Sequence, residues 1–190
     1  MRESLLILVG MALLSGCHKT SAVEPPSPKL GTKWTYRYKK FNAAGSVQLT
    51  RNVIYTASSV EGSGSDEWLV IADSTGASVF ILAKKNDGLY QNPGTALLLC
   101  KDPAVEGDSY IIQNNGADEA ITVMAKDSIV SVPFGDIATY RYEGQQGGNL
   151  KDIIWYNSAV WFAKKEVYIL NTFTGLNHVD TRLELVDLTY

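Results

Sequence analysis

Residues 33–39 read Lys33-Trp34-Thr35-Tyr36-Arg37-Tyr38-Lys39, with aromatic and polar side chains in strict alternation. Because a strand turns successive side chains to opposite faces, this stretch predicts a strand with its three rings on one face. Residues 47–55 have the same period of two, and the intervening residues 42–46 (Asn-Ala-Ala-Gly-Ser) have the composition of a hairpin loop. The alternation therefore predicts an antiparallel hairpin at the start of the folded part.

Short strands separated by Gly, Asn and Asp turns continue to the end of the chain. No window has a helical period of useful length, although residues 92–105 leave open a short helix or an irregular loop. We expect a mainly β protein with little helix, built as a single curved antiparallel sheet that is open or closed on itself. The later predicted strands cover residues 67–72, 78–83, 109–113, 120–125, 128–132, 137–142, 152–156, 166–170 and 179–186.

Residues 1–16 have the pattern of an export signal, in which Arg2 is followed by an apolar run from Leu5 to Leu14. That run has about ten residues, which is too short for a transmembrane helix of roughly 20. The small residues directly before Cys17 resemble the bacterial lipobox, read here as Leu-Ser-Gly-Cys. The resemblance implies cleavage before Cys17 and acylation of that residue, so the expected partner is a lipid bilayer. An ordinary secretory signal with an incidental cysteine is the alternative.

Residues 17–30 are predicted to be the lipidated cysteine and a tether, since Pro25, Pro26 and Pro28 occur there among few apolar side chains. Residues 31–190 form the predicted antiparallel β domain. In enterobacterial sorting, an aspartate after the lipidated cysteine retains a protein in the inner membrane, and this chain has His18 instead. We therefore expect a lipid-anchored protein of the cell envelope, on the outer membrane.

Charge and cysteine content exclude several classes of protein. The net charge is −3, and the lysine pairs are isolated, so the chain has no basic stripe for nucleic acid. If Cys17 carries lipid, Cys100 has no partner, and the fold is not held by disulfides. Cys100 follows an apolar run, which favours a buried, inert thiol.

Acidic residues do not combine into a recognisable catalytic or metal site. The adjacent acids at 66–67 and at 118–119 would face opposite ways in a strand, so neither pair can act as acid and base together. Asp102, Glu106 and Asp108 lack the glycine and glutamate placement of a calcium loop. We expect a protein that is not an enzyme and that needs no metal or cofactor.

Several motifs from residue 130 onwards occur together in a known group. Residues 130–135 read Val-Ser-Val-Pro-Phe-Gly, residues 138–142 read Ala-Thr-Tyr-Arg-Tyr, and Trp155-Tyr156 follows a Gly-rich loop. These motifs resemble bacterial envelope proteins of uncharacterised function whose fold is related to the lipoprotein carriers of outer-membrane localisation. That group usually has a glycine after the Trp-Tyr turn, where this chain has Trp161. The resemblance implies a sheet curled into a half-open barrel and an envelope compartment, but no activity.

Aromatic side chains are the best candidates for a binding site. On a concave sheet face they could bind an acyl chain, a hydrophobic peptide or a sugar, and plain core packing is the alternative. The first predicted function is a non-catalytic module that binds an apolar ligand, either a lipid or a segment of an envelope protein. A structural or interaction lipoprotein without a ligand, and an unrecognised hydrolase, are the alternatives. The candidate ligand-binding residues are Trp34, Tyr36, Tyr38, Tyr140, Tyr142, Trp155 and Trp161.

Replacing Cys17 with alanine removes the predicted acylation site. We expect Cys17→Ala protein to leave the membrane fraction, because the anchor depends on acyl chains whose buried methylenes contribute about 0.8 kcal/mol each. Cell fractionation with immunoblotting measures this, and Cys100→Ala serves as the matched control. Cys17→Ala protein that stays with membranes as fully as the wild type would contradict the lipoprotein prediction.

Overall fold

The computed structural model describes residues 26–114 and 116–190, so the predicted signal peptide, Cys17 and most of the tether lie outside the described residues. Strands make up 70% of the described residues and helix 2%, which confirms the predicted mainly β class. No described residue belongs to a helix that is long and apolar enough to cross a membrane. The strands are β1 (Lys33–Phe41), β2 (Val47–Glu61), β3 (Trp68–Asp73), β4 (Ser78–Lys85), β5 (Gly88–Gln91), β6 (Leu97–Lys101), β7 (Ser109–Asn114), β8 (Ala117–Val132), β9 (Gly135–Gln146), β10 (Asn149–Asn157), β11 (Trp161–Asn171) and β12 (Leu176–Thr189).

All these strands form one 12-stranded sheet in the order β6-β5-β4-β3-β2-β1-β12-β11-β10-β9-β8-β7. The first and last strands are paired at its centre, where Trp34 faces Leu188 and Lys40 faces Thr181. From that pair the chain meanders outward in both directions, so β6 and β7 are the two edges. The sheet curls until these edges approach each other, giving a nearly closed barrel with one unsealed seam. This confirms the predicted single curved antiparallel sheet.

Side chains, instead of a backbone ladder, bridge the seam between β6 and β7. The Tyr110 hydroxyl donates to the Leu99 carbonyl at 2.9 Å and accepts from the Lys101 backbone N–H at 3.3 Å. The Tyr142 hydroxyl donates to the Lys101 carbonyl, and the Lys101 ammonium pairs with Asp108 at 2.8 Å. An open strand edge offers unpaired backbone groups to other chains. The tyrosine hydroxyls occupy three of those groups on β6.

Burial along β1 follows the predicted alternation. Trp34 and Tyr36 point into the barrel and are 3% and 4% exposed, and Leu185, opposite Tyr36, is fully buried. The intervening polar side chains face outward, where Lys39 pairs with Glu184 at 2.8 Å. Each large side chain buried in this way contributes about 1.5–3 kcal/mol relative to an exposed one. The inward row of β1 therefore lies at the centre of the core.

Residues 92–105, for which the sequence allowed a short helix or an irregular loop, contain a strand. β6 covers Leu97–Lys101, and β5, which the sequence reading did not identify, covers Gly88–Gln91. Gly88 is required there, because an added Cβ would lie 2.2 Å from the carbonyl oxygen of Cys100. β5 has four residues and β6 is a continuous apolar run, so neither has the alternation by which the other strands were predicted.

The strands predicted at residues 120–125 and 128–132 are one long strand. β8 runs through both, and its register with β9 shifts twice between Val123 and Ser128. Asp127 lies in this stretch with a φ of 55°, a left-handed conformation that a non-glycine residue uncommonly adopts. These irregularities bend the strand without ending it.

Replacing Tyr110 with phenylalanine should weaken the seam. The hydroxyl serves two backbone groups of β6, and its loss leaves them without that partner, at an expected cost of about 1–3 kcal/mol in the free energy of unfolding. Urea denaturation measures the cost, and hydrogen exchange at β6 locates it. Tyr90→Phe is the matched control, because its hydroxyl donates to Asp87 at an exposed position and its loss should cost less than about 0.5 kcal/mol. Equal losses in the two variants would contradict the role given to Tyr110.

Candidate functional site

An apolar cavity of about 30 Å³ lies inside the barrel. A water molecule needs roughly 10–15 Å³ of such space, so the cavity can hold one or two waters and no acyl chain. The rings around it therefore pack as core in this conformation. The aromatic side chains that line the cavity are Trp34, Tyr36, Tyr55, Phe80, Trp161 and Phe162.

Trp34 and Tyr36 tie β1 to the start of β11 across the barrel. The Trp34 indole N–H donates to the Val160 carbonyl at 3.0 Å, and the Tyr36 hydroxyl donates to the Phe162 carbonyl at 3.0 Å. The Trp34 ring stacks on Trp161, with ring centroids 5.6 Å apart. Burial raises the pKa of Tyr36 far above its ordinary value, so its hydroxyl stays neutral and acts as a donor. Three of the candidate residues thus meet at the cavity.

Tyr140 and Tyr142 belong to a second group of rings near the seam. Their centroids lie 6.2 Å apart, and Tyr142 makes an edge-on contact with Tyr156 at 6.4 Å. Tyr142 is almost fully buried, and the Tyr156 hydroxyl donates to Asp102 at 3.2 Å. Burial raises the pKa of both Tyr142 and Tyr156 far above the ordinary value. These rings pack the barrel wall and do not line the cavity.

Trp155 lies on the outer face of the sheet. Its neighbours along β10, Ile154 and Tyr156, are buried inside, and alternation turns Trp155 the other way. There its ring contacts two cations, with the Lys164 Nζ 4.3 Å and the Arg141 guanidinium 5.9 Å from the centroid. The structure therefore separates Trp155 from the inward rings.

Tyr38 is the third ring of the inward row of β1, and it is only half-buried. The Arg51 guanidinium lies over it, 5.4 Å from the ring centroid. Of the seven candidate residues, Trp34, Tyr36 and Trp161 meet at the cavity. Tyr38, Tyr140, Tyr142 and Trp155 lie elsewhere.

Trp161 is held in an unusual backbone conformation. It follows the three-residue loop of the β10–β11 hairpin, and Asn157 is its pairing partner across the turn. Its φ is 65°, in the left-handed region that glycine usually occupies at this position of such hairpins. A bulky residue in this conformation costs about 1–3 kcal/mol. The turn therefore keeps the backbone geometry of a glycine while it carries an indole ring.

The Trp161 indole N–H has no hydrogen-bond partner although the side chain is only 2% exposed. In residues 26–114 and 116–190, the buried side-chain polar atoms without a partner are this nitrogen and His178 Nδ1. Leaving such a donor unpaired costs about 1–3 kcal/mol. Trp161 thus combines backbone strain with an unsatisfied donor.

A larger pocket of about 830 Å³ opens at the end of the barrel where Trp161 lies. Its walls are residues 27–30 of the tether, residues 64–67 between β2 and β3, and residues 84–87 at the β4–β5 turn. Trp161 and Leu82 line both this pocket and the internal cavity, so they form the wall between the two spaces. Sequence reasoning missed this pocket, because its walls come from three connections that only the folded sheet brings together.

Charged groups inside the barrel are paired. Asp152 lies 3.3 Å from the Lys165 ammonium, and the buried Glu119 pairs with Lys151. Both acids crowd Gly144, where an added Cβ would lie 2.6 Å from an Asp152 oxygen and 2.7 Å from a Glu119 oxygen. Paired and hydrogen-bonded charges are the form in which proteins tolerate burial. Neither carboxylate lines the apolar cavity.

Cys100 and the acids of the β6–β7 loop do not form a reactive site. Cys100 is a free thiol with no exposed surface, and burial raises its pKa well above the ordinary value, so it stays protonated. Asp102 pairs with Lys84 at 2.9 Å, and Asp108 with Lys101 at 2.8 Å. The described residues contain no group of three or more His, Cys, Asp or Glu side chains that could hold a metal ion.

Replacing two of the candidate tyrosines with alanine should show, from the loss of stability, which ring packs in the core and which lies at its edge. Tyr36→Ala removes a buried ring and its hydrogen bond, with an expected loss of about 3–5 kcal/mol in the free energy of unfolding. Tyr140→Ala removes a half-buried ring and should cost less, by at least about 1 kcal/mol. Chemical denaturation measures both variants. If the two losses are equal, Tyr36 does not have the central packing role described above.

No protein-family model matches the chain, and no curated protein matches its sequence. Among solved structures, the chain is similar to a Bacteroides fragilis protein described as a candidate exported protein with a YmcC-like fold. The TM-score is 0.49 and the sequence identity 12%, over 86% of this chain and 98% of that one. At that level of likeness, the function of this chain has to be argued from its own residues.

Proposed function

We propose that the protein is a lipid-anchored, non-catalytic module of the cell envelope that binds an apolar ligand at one end of its barrel. The observation that carries the proposal is the open pocket of about 830 Å³, whose wall toward the core is Trp161 and Leu82. Its volume lies within the range of about 300–1,000 Å³ that is typical of ligand pockets. Its walls combine apolar side chains, such as Leu69 and Leu82, with charged ones, such as Lys84 and Lys85. The internal cavity is too small for a ligand, so the ligand lies at the end of the barrel.

The position of the tether supports a site close to the membrane. Residues 27–30 follow the predicted anchor at Cys17 and form one wall of the pocket. Pro28 is buried there, and the Lys29 backbone N–H donates to the Thr32 hydroxyl at 3.0 Å. The pocket therefore lies at the end of the domain where the chain leaves for the anchor. A lipid, or a segment of an envelope protein, is the partner that this position favours, and the outer membrane is the location that His18 favours.

The paired charges support a non-catalytic role over the hydrolase alternative. A general acid or base needs a titratable group that can reach a substrate. Lys84 is held by Asp102 and Lys165 by Asp152, at 2.9 and 3.3 Å. The Cys100 thiol is buried and protonated, which argues against a thiol nucleophile.

A structural or interaction lipoprotein is the second candidate, and the far end of the barrel favours it. The β11–β12 hairpin exposes large apolar side chains, with Phe173 fully exposed and Leu176 and Ile169 more than one-third exposed. Large exposed apolar side chains gathered on one hairpin are a feature of protein contact sites. In this alternative the hairpin contacts an envelope protein, and the pocket at the other end has no ligand.

A binding experiment separates the two candidates. Full-length protein with Cys17→Ala is titrated with a fluorescent fatty acid, and Leu69→Glu is added to place a charge in the pocket wall. We expect saturable binding that Leu69→Glu abolishes, because an unpaired charge opposes burial of the acyl chain. Leu176→Glu, on the far hairpin, is the matched control and should bind normally.

Thermal unfolding shows whether each variant is folded before binding is compared. Absence of binding to folded Cys17→Ala protein, or equal binding by the Leu69→Glu variant, would refute the pocket as the ligand site. Loss of a cross-linked envelope protein in Leu176→Glu alone, with no fatty-acid binding, would favour the second candidate.

A further inference from the structure

We infer that the open edge of β2, residues 47–54, binds an extended segment of another polypeptide as an added strand, and that this segment carries a carboxylate opposite Arg51. The open edge follows the β1–β2 turn at the far end of the barrel, whereas the pocket described above lies at the other end. The two surfaces are separate, and the added strand does not depend on a ligand in the pocket.

The first half of β2 has a neighbouring strand on one side only. β1 pairs with β2 from Val47 to Thr56, but β3 pairs with it only from Tyr55 to Glu61. The β3–β4 turn reverses the chain at residues 74–77, so no strand of the described residues continues the sheet beside the open edge. Every residue of that edge except Val53 is exposed.

Alternation along β2 identifies the backbone groups that the open edge offers. The Ala57 N–H donates to the Thr32 carbonyl at 2.9 Å, so the backbone groups of Ala57 face the β1 side. In an antiparallel ladder, such hydrogen-bonded residues occur at every second position. The odd-numbered residues from 49 to 55 therefore bond to β1, and the even-numbered residues from 48 to 54 turn their N–H and C=O groups outward. Such a row of unpaired groups is a template for an added strand.

The open edge lacks the features that usually protect the edge of a sheet. At the seam, the Tyr110 hydroxyl occupies two backbone groups of β6. Proline, lysine and bulges protect edges in other proteins. Residues 47–54 contain no proline or lysine, and their pairing with β1 is regular from Leu49 onwards. The edge instead exposes apolar side chains, with Leu49 45% and Ile54 46% exposed.

Arg51 gives the open edge a positive charge that no acid of the described residues neutralises. Its guanidinium lies over the Tyr38 ring, 5.4 Å from the ring centroid, and it has no ion pair in residues 26–114 and 116–190. The contact with the ring holds the guanidinium beside the edge. A carboxylate is the group that an arginine fork binds best, so the added strand carries an acidic residue opposite Arg51.

A notch of about 300 Å³ adjoins the open edge where the β3–β4 turn ends. Its walls include residues 51–55 of β2 and residues 73–75 of the turn, so an added strand would end against this turn. Asp73 also lines the notch, but its carboxylate accepts hydrogen bonds from backbone N–H groups of its own turn, at 2.8 and 3.1 Å. Arg51 is therefore the charged group with capacity for a partner.

The geometry of strand pairing specifies the pattern of the partner. Leu49, Arg51 and Val53 lie on one face of β2, and residues directly opposite each other in a ladder share a face. Along that face the partner therefore presents an apolar, an acidic and an apolar side chain at alternate positions. A second copy of this chain does not supply this pattern through the same edge, because residues 47–54 contain no acid.

The test uses a capped peptide with this pattern. The peptide reads Thr-Val-Thr-Asp-Thr-Val-Thr, with an acetylated amino end and an amidated carboxyl end, and is titrated into ¹⁵N-labelled full-length protein with Cys17→Ala. In the protein alone, the even-numbered amides of residues 48–54 should exchange faster with solvent than the odd-numbered ones. We expect saturating peptide to slow exchange of the even-numbered amides at least about tenfold, because they gain ladder hydrogen bonds.

Charge reversal tests the role of Arg51. A peptide with lysine in place of its aspartate should bind about fivefold more weakly, because it loses an exposed ion pair. Arg51→Glu protein should instead prefer the lysine peptide. Arg37→Glu is the matched control, because Arg37 lies on the opposite face of β1 from Tyr38 and its replacement should leave the preference for the aspartate peptide.

Asn52→Pro tests the backbone. The Asn52 N–H points away from β1, so proline removes a donor from the open edge and retains the ladder with β1. We expect folded protein, checked by thermal unfolding, that no longer binds the peptide, whereas Asn52→Ala binds it as the wild type does. If Asn52→Pro does not fold, the exchange pattern and the charge reversal decide the question.

Absence of peptide binding, or binding without slower exchange of the even-numbered amides, would overturn the inference. Equal affinity of the wild type for the aspartate and lysine peptides would overturn the assignment of a carboxylate. Protection of the even-numbered amides in the protein alone that rises with its concentration would identify a second copy as the occupant, against the inference. Fatty-acid binding at the pocket is measured independently, so none of these results decides the proposed function.

Discussion

The connection between β6 and β7 constrains the whole sheet. These two strands are its edges, yet they follow one another in the chain and are joined only by residues 102–108. A sheet with its edges tied by so short a segment has to curl until they meet. Tyr110 and Tyr142 then satisfy backbone groups that no neighbouring strand reaches. The curvature of the sheet, the closure of the barrel and the tyrosine hydrogen bonds at the seam therefore all follow from the short connection between β6 and β7.

Closure determines what the interior contains. A curled sheet turns one side chain in two toward the axis, and the inward positions hold both large rings and charged groups. The rings of Trp34, Tyr36 and Trp161 fill one part so completely that little free volume remains. Near the seam, Asp152 and Lys165 neutralise each other. Packing and pairing together leave the end of the barrel, and not its axis, as the place with room for another molecule.

The sequence was sufficient to predict which residues share a face, because a period of two needs only local information. It predicted that Trp34 and Tyr36 lie on one face of their strand, and both are buried there in the structure. It could not say which face is inside, since that depends on the direction in which the whole sheet curls. The very short β5 gave no periodic signal at all.

The candidate site was harder to predict, for two physical reasons. Free volume depends on how rings from distant strands interlock, so no local pattern distinguishes a groove from a filled core. The pocket at the barrel end is built by the tether and two turns that are remote in sequence. In the sequence, Trp161 stood out only by comparison with the motif that the chain resembles, which usually has a glycine after the Trp-Tyr turn. Its left-handed backbone and unpaired nitrogen became apparent only in the folded hairpin.

The central pairing of β1 with β12 has a mechanical consequence. β1 enters from the tether, and β12 begins at the far hairpin, so the two ends of this pair lie at opposite ends of the barrel. A force applied between the start of β1 and the β11–β12 hairpin runs parallel to both strands. The ladder from Lys33 to Lys40 is then loaded in shear, with its hydrogen bonds sharing the force instead of breaking one after another. If the proposed anchor precedes residue 26, tension on it acts along the direction in which hydrogen bonds of this strand pair share the load.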